Sequence, residues 1–392
     1  MASPEQQLAA LRLGAAQIIN EADLLEKLRL GRPLNIKLGV DPTAPDIHLG
    51  FTVALTKLRQ FQDFGHRAIL IIGDFTAMIG DPSGRSVTRP QKTHDEVMAN
   101  AKTFQEQAFK ILDPEKTRVV FNGEWFEMMS FEEVLKLNSR VTLQQMLQRE
   151  DFRNRFDRGE PIHLHEIQYP IMQGWDSVMI KADVEIGGTD QLFNIMIGRD
   201  LQHEQGLPRQ VTFLMPLLEG LDGVQKMSKS LGNYVGISEP AETMFGKLMS
   251  ISDTLMERYY LLLLARECPR EAHPMEAKKQ LALELVARYH SREAAAAALE
   301  DFNTKFRKRD VEHAEWPKLK LDGVNSDIVS LVVAGFAQGF DITKSRSDAR
   351  RLIEQGSVQL RGEKITDPKA SPRADSGDVL KLDKIRAVRI AG

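Results

Sequence analysis

Residues 35–75 read NIKLGVDPTAPDIHLGFTVALTKLRQFQDFGHRAILIIGDF, and this stretch decides the fold class. NIKLGV at 35–40 is a short apolar segment typical of a strand. RAILIIGDF at 67–75 is a continuous apolar run, which is typical of a strand buried on both faces of a parallel sheet. Between them a turn-rich loop leads into a helical pattern at 47–65 that ends at Gly65. The order strand, loop, helix, strand predicts a βαβ unit with a right-handed crossover.

Further apolar segments extend this pattern along the chain. Strand candidates lie within 117–125, 179–190 and 210–218, and helical segments separate them. Residues 5–30 carry apolar positions at helical spacing and predict one or two amphipathic helices in front of the first strand. The sequence therefore predicts an α/β fold with a doubly wound, mostly parallel, Rossmann-like sheet. In such sheets ligands bind at the carboxyl ends of the strands.

The apolar periodicity and the charge of the sequence change twice after this region. A helical pattern runs from residue 240 to about 302, and a stretch without periodicity then mixes charges with Pro317 and Gly323. Residues 341–392 hold twelve Lys/Arg and eight Asp/Glu, although the whole chain has a formal net charge of −3. The predicted domains are a Rossmann-like catalytic domain at 1–236, an α-helical domain at 237–302, a linker at 303–324 and a small α+β domain at 325–392.

Composition excludes several classes of protein. The single cysteine, Cys268, excludes an internal disulfide framework and a cysteine-rich zinc site. His163 and His165 lack the carboxylates and cysteines that would complete a metal site, so no protein-bound metal is expected. No signal peptide or membrane-spanning run is recognisable, which predicts a cytosolic protein. We assign the tryptophans to packing: Trp125, Trp175 and Trp316.

Two short stretches carry groups suited to phosphate. His48 and Gly50 fall at the start of the predicted helix, where free backbone N–H groups and the helix dipole favour an anion. KMSKS at 226–230 lies between glycines and places two lysines in a pliable loop. Either stretch by itself is weak evidence, because lone histidines and exposed lysines are common. Their occurrence together is the informative observation.

An H-L-G sequence that opens the first helix, with KMSKS after the last strand, resembles the class I aminoacyl-tRNA synthetases. The resemblance implies that both motifs close over ATP and that His48, Lys226 and Lys229 stabilise the transition state of adenylate formation. The family's first motif usually ends in a second histidine, and Phe51 occupies that position here. A role for that second histidine is therefore not transferred to this chain.

Three further segments narrow the resemblance to the bacterial tyrosyl-tRNA synthetases. They are IGDPSGR at 79–85, YPIMQGWD at 169–176 and GGTDQLFN at 187–194. The resemblance implies a tyrosine site and an ATP site. The implied tyrosine-binding residues are Lys37, Asp81, Tyr169, Gln173, Asp176 and Gln191. The implied ATP-binding residues are Gly39, Asp41, His48, Gly50, Gly188, Asp190, Lys226, Met227, Ser228 and Lys229. Thr43, Arg85 and Arg89 complete the implied catalytic set, with ATP and Mg²⁺ as the cofactors.

Spacing supports the tyrosine assignments independently. Tyr169, Gln173 and Asp176 are four and three residues apart, which places them on one face of a helix. By the resemblance, Asp176 accepts the hydrogen bond of the phenol. A buried carboxylate left unpaired by phenylalanine rejects that amino acid, and tyrosyl-tRNA synthetases are the known example of this effect. Many relatives have a second phenol-binding tyrosine where this chain has Lys37, which we expect to pair with Asp176 or position the phenol oxygen.

The tail resembles the S-four-type RNA-binding domain that bacterial tyrosyl enzymes carry. By that resemblance Arg346, Arg350, Arg351 and Arg361 contact tRNA, and the chain forms a homodimer through the region around 123–165. Two alternatives remain open at this stage. A tryptophanyl enzyme would share the fold, and a relative without catalysis would bind RNA alone.

Overall fold

The computed structural model describes residues 2–42, 46–81, 93–269, 271–306, 316–383 and 385–391. Three predicted catalytic residues, Thr43, Arg85 and Arg89, lie outside the described residues. The chain forms two compact units, Met1–Ala295 and Ala296–Gly392.

A six-stranded mixed sheet forms the centre of the first unit. Its strands are β1 (Gln17–Ile19), β2 (Asn35–Val40), β3 (Arg67–Ile72), β4 (Thr117–Phe121), β5 (Val184–Gly188) and β6 (Val211–Met215), in the order β1-β6-β5-β2-β3-β4. The five strands from β6 to β4 are parallel, and β1 joins the edge antiparallel to β6. The predicted α/β class is confirmed. β1 was missed, since three residues are too short to show a strand period between two helices.

Helices pack against this sheet and extend beyond it, and the last helix continues into the second unit. The helices are α1 (Pro4–Arg12), α2 (Glu21–Arg29), α3 (Leu49–Asp63), α4 (Thr76–Ile79), α5 (His94–Ala108), α6 (Gly123–Phe126), α7 (Phe131–Asn138), α8 (Leu143–Met146), α9 (Glu150–Asp157), α10 (Leu164–Met179), α11 (Leu192–Glu204), α12 (Ala241–Met249), α13 (Asp253–Leu264), α14 (Pro274–Tyr289) and α15 (Arg292–Phe306). The predicted division between a catalytic domain and a helical domain at 236/237 stays a prediction.

The apolar pattern explains why β3 and one face of α3 are buried. Residues 68–72 of β3 are all buried, as expected for a strand covered on both faces. α3 buries Val53, Leu58 and Phe61 against the sheet. Burial of each such side chain contributes roughly 1.5–3 kcal/mol. This packing fixes the helix so that its first turn lies at the carboxyl end of β2.

The second unit begins within α15 and continues with a small set of strands and helices, while the predicted domain bounds at 325–392 stay a prediction. Its elements are β7 (Lys318–Lys320), α16 (Ile328–Phe340), α17 (Arg346–Glu354), β8 (Gln359–Leu360), β9 (Glu363–Lys364), β10 (Val379–Lys381) and β11 (Ala387–Ala391). The sheet order is β7-β11-β10-β8-β9. Arg361 and Gly362 join β8 to β9 with φ values of 53° and 81°. Left-handed backbone at both positions is the geometry of a tight hairpin turn.

The predicted linker at 303–324 stays a prediction as a domain boundary, but regular structure occupies both of its ends, since α15 continues to Phe306. β7 lies within it and pairs in parallel with β11. Only Leu319 of this strand is buried. A three-residue strand whose partner lies about 70 residues away has no local signal in the sequence.

Candidate active site

One cavity of about 840 Å³ opens at the carboxyl ends of the parallel strands. It brings together most of the predicted site residues from six separate segments. The predicted residues on its wall are Gly39, Asp41, His48, Gly50, Asp81, Tyr169, Gln173, Asp176, Gly188, Asp190, Gln191, Lys226, Met227, Ser228 and Lys229. The position agrees with the rule that open parallel sheets bind ligands beyond the carboxyl ends of their strands.

His48 is the N-cap residue of α3 and is almost buried beside the cavity. Burial, together with the nearby charge of Lys229, lowers the pKa of His48 to about 4. The imidazole is therefore neutral near pH 7. Its buried Nδ1 atom has no hydrogen-bond partner within the described part of the protein. A neutral ring beside a helix N-terminus offers a hydrogen bond to a ligand without adding charge.

The two signature motifs lie side by side. The N–H of Leu49 donates to the carbonyl of Val235 at 2.9 Å, and the N–H of Ile237 donates to that of Ile47 at 3.0 Å. These main-chain bonds join the segment after KMSKS to the segment that holds His48. Because the pairing is between backbones, the positions of the two motifs depend on each other.

Gly50 is the closest point of contact between the motifs. Its N–H donates to the sulfur of Met227 at 3.2 Å. A Cβ atom at this position would lie 3.1 Å from the His48 ring and 3.2 Å from the Met227 Cβ. The lack of a side chain therefore keeps the first turn of α3 accessible. Phe51 packs edge-on against Phe104, with ring centroids 5.2 Å apart, and forms an apolar part of the wall.

The lysines of KMSKS face carboxylates across the cavity. Lys229 Nζ lies 3.5 Å from Asp46 Oδ2. Burial raises the pKa of Asp190, and the charge of Lys226 acts in the opposite direction. Both lysines are partly exposed, so their charge is available to a phosphate chain that enters the cavity.

The predicted face of α10 points into the cavity. Tyr169 donates its hydroxyl hydrogen to Asp41 Oδ2 at 2.9 Å. Burial and the charge of Asp41 raise the pKa of Tyr169 well above its usual value, so the hydroxyl stays protonated. Gln191 Nε2 donates to Asp81 Oδ2 at 2.9 Å. Tyr169 and Asp81 thus both present oxygen acceptors at the same end of the cavity.

Asp176 lies deeper and is 3% exposed. Trp125 Nε1 donates to Asp176 Oδ1 at 3.1 Å, and Asn122 Nδ2 lies 3.3 Å from Oδ2. Burial raises the pKa of Asp176 to about 7, despite the charge of Lys37 and these two donors. The assignment of Trp125 to packing alone was wrong. The signal available was its position in N-G-E-W, directly after the strand β4, at the edge of the sheet where ligands bind.

Lys37 does not contact the cavity, contrary to the prediction. Its side chain is fully buried, and Nζ lies 2.9 Å from Glu185 Oε1. The two residues face each other across the neighbouring strands β2 and β5. The ammonium therefore pairs with Glu185 and not with Asp176. The sequence holds no local signal for Glu185, because the pairing of β2 with β5 joins residues nearly 150 positions apart.

The four predicted RNA-contacting arginines lie on the second unit, and all are exposed. Arg346 is bonded to Asp327, and Arg351 to Asp348. Arg361 lies 3.5 Å from Asp378. Each of these acidic partners reduces the local positive charge that RNA would meet. Arg350 projects from the same helix as Arg346 and Arg351.

Other features bear on metals and membranes. Among the described residues, no group of three or more His, Cys, Asp or Glu side chains is arranged to hold a metal ion. Within those same residues, we find no helix with the length and apolar character needed to span a membrane.

A family model described as tRNA synthetases class I (W and Y) matches residues 29–307. The tyrosine–tRNA ligase of Moorella thermoacetica is 50% identical over 98% of this chain and 95% of its own length. That of Aquifex aeolicus is 48% identical over 99% of both chains. The solved tyrosyl-tRNA synthetase of Archaeoglobus fulgidus in complex with L-tyrosine has a TM-score of 0.61 at 21% identity, covering 76% of this chain and all of its own.

The sheet, the paired motifs and the match over most of the chain define a class I aminoacyl-tRNA synthetase. The chain belongs to the family of class I tRNA synthetases for tryptophan and tyrosine.

Proposed function

We infer that the chain is a tyrosine–tRNA ligase, which uses ATP to activate tyrosine and then joins the tyrosine to its tRNA. The observation that carries this inference is the cavity in which the α10 face, with buried Asp176, meets His48 and KMSKS. Close relatives across the full length carry the name tyrosine–tRNA ligase. Their names favour tyrosine over tryptophan, whose indole N–H would also find an acceptor in Asp176.

In the first step, the tyrosine carboxylate attacks the α-phosphate of ATP and pyrophosphate leaves. This reaction needs positioning and charge stabilisation more than a strong base. Lys226 and Lys229 supply positive charge to the phosphates, and neutral His48 donates or accepts a hydrogen bond at the helix N-terminus. Gly39, Asp41, Gly188 and Asp190 are assigned to the nucleotide. Magnesium enters with ATP and balances the phosphate charge.

The amino acid is held at both of its ends. Asp81, Tyr169 and Gln173 surround the ammonium group with oxygen acceptors, and Gln191 contacts the activated carboxylate. At the far end, Asp176 accepts the hydrogen bond of the phenol, while Trp125 and Asn122 fix the carboxylate. When phenylalanine binds instead, Asp176 loses a partner in a place that water does not reach.

In the second step, a terminal ribose hydroxyl of the tRNA attacks the activated carbonyl, which gives tyrosyl-tRNA and AMP. The second unit is assigned to tRNA contact through Arg346, Arg350, Arg351 and Arg361. To bind phosphates, three of these arginines exchange their present carboxylate partners, while Arg350 is the first candidate for a direct contact.

A homodimer is part of the proposal. Several large apolar side chains within 123–165 are strongly exposed in the single chain, which is unusual for a surface facing water. They are Met128, Phe131, Leu135, Leu143, Phe156 and Leu164, with exposures between 53% and 84%. A second copy of the chain would cover this surface.

ATP–pyrophosphate exchange tests the proposed reaction. The purified chain is offered tyrosine, phenylalanine and tryptophan separately with ATP and magnesium. Exchange that depends on tyrosine alone is the expected result. Exchange with tryptophan alone would show that the role of Asp176 is misassigned, and no exchange would favour a binding protein without catalysis.

A further inference from the structure

A charged pair lies at the floor of the cavity, where Glu185 is one of the lining residues, and it has no assigned part in the proposed chemistry. Lys37 and Glu185 are 0% and 1% exposed. Lys37 uses all three of its N–H donors within the fold. They go to Glu185, to the Gln173 carbonyl at 2.7 Å and to Ser177 Oγ at 2.7 Å. A buried pair this completely bonded can remain ionised, because each charge is both neutralised and solvated by protein groups.

Glu185 determines how the amide of Gln173 is turned. Gln173 Nε2 lies 3.2 Å from Glu185 Oε1. An ionised carboxylate only accepts hydrogen bonds, so the NH₂ group of Gln173 must face it. The amide oxygen of Gln173 is then directed the other way, where it accepts from Asn194 Nδ2 at 2.9 Å.

The same reasoning applies from the opposite end of this chain of amides. Arg149 Nη1, which only donates, lies 3.0 Å from Asn194 Oδ1 and so fixes the NH₂ group of Asn194 toward Gln173. That NH₂ group also donates to Gln191 Oε1 at 3.1 Å. Gln191 in turn donates to the carboxylate of Asp81. The orientations of the amides of Gln173, Asn194 and Gln191 are therefore set by charged side chains at the ends of this hydrogen-bonded series.

We propose that Glu185, with its charge balanced by Lys37, is a positioning residue that directs the amide oxygen of Gln173 toward the ammonium group of the amino acid. The inference rests on the proposed function, which assigns Gln173 to that ammonium group. An ammonium group needs acceptors, and the NH₂ side of an amide repels it. Lys37 is required because an unbalanced Glu185 would be costly to bury.

The test replaces the pair by neutral side chains of similar size, Lys37→Met with Glu185→Gln. A glutamine at position 185 both donates and accepts, so the orientation of Gln173 is no longer enforced from this side and depends on the contact with Asn194. Binding is measured by calorimetry on the full chain with tyrosine, with tyramine, which keeps the ammonium group, and with 3-(4-hydroxyphenyl)propionate, which lacks it. The affinities for tyrosine and tyramine should fall about tenfold, the effect of losing one hydrogen bond to a charged group. The affinity for the propionate should change less than twofold.

A matched control separates positioning from general stability. Arg155 and Glu166 form another buried ion pair, and neither residue lies on the cavity wall. The variant Arg155→Met with Glu166→Gln should lower the melting temperature without selective loss of tyramine. Equal weakening of all three ligands, unchanged affinities, or the same selectivity in the control would overturn the inference. Failure of the proposed function has a different signature, since the unmodified protein would then lack tyrosine-dependent exchange.

Discussion

The affinity for tyrosine should depend on pH through Asp176. Burial raises the pKa of this carboxyl to about 7, so that in the empty site it is largely protonated below pH 7 and ionised above it. The phenol hydroxyl of tyrosine donates best to the ionised form. Binding to one protonation state means that the apparent affinity follows the fraction of Asp176 that is ionised. With a pKa of about 7, that fraction falls about eightfold between pH 7.5 and pH 6.

The assay is tyrosine binding by calorimetry between pH 5.5 and 8.5, because free tyrosine keeps the same charge over most of this range. The affinity should fall about tenfold per pH unit well below the pKa of Asp176 and level off above it. Asp176→Asn should bind tyrosine more weakly and remove the pH dependence. Trp125→Phe should move the profile to higher pH, because the Trp125 bond lowers the pKa of Asp176. A flat profile in the unmodified protein, or one that survives Asp176→Asn, would refute the reasoning. His48 is no alternative cause, since its pKa is about 4.

Further predictions concern the two motifs of the site, the second unit and the proposed dimer surface. Lys229→Ala should slow pyrophosphate exchange at least tenfold and leave tyrosine affinity within twofold, because its charge acts on phosphate; equal losses would contradict this role. Gly50→Ala should lower the exchange rate about tenfold or more, since the new Cβ meets the His48 ring at 3.1 Å, and calorimetry should still show normal tyrosine binding. Arg350→Glu should weaken tRNA aminoacylation several-fold, increasingly at low salt, without changing pyrophosphate exchange. Phe131→Glu should shift the chain from dimer to monomer in light scattering, and an unchanged mass would place the interface elsewhere.

The sequence predicted the parts of the site that depend on local pattern. The segment from β2 to β3 shows its strands and helix through apolar runs and a closing glycine, and the helix start fixes His48 at the cavity. Tyr169, Gln173 and Asp176 share a helix face because of their spacing, whatever the rest of the chain does. Each of these features is set within one continuous segment, 35–72 for the first and 169–176 for the second.

The parts that were missed depend on contacts between distant segments. Lys37 is a single charged residue within an apolar strand, and nothing near it in the sequence identifies Glu185 as its partner. Trp125 follows β4, about 50 residues before Asp176. Strand order decides both contacts, and one sequence does not specify which strands are neighbours. A charged residue inside an otherwise apolar strand does, however, predict that some buried partner of opposite charge exists.

The Lys37–Glu185 pair also bears on how the cavity distinguishes its ligands. Replacing a buried ion pair by apolar residues is often neutral or stabilising, so stability alone is weak support for keeping one. The orientation of Gln173 supplies a different reason, because an apolar residue at position 185 would remove one of the two side chains that fix the direction of this amide. Burial of the pair costs free energy, and the pair in return helps to fix the direction of hydrogen bonding at the ammonium end of the cavity. It follows that a variant with an apolar pair at 37 and 185 should be at least as stable as the unmodified protein and yet bind tyrosine more weakly. Thermal unfolding together with calorimetry would reveal this opposition, and a variant that gains stability at undiminished affinity would contradict it.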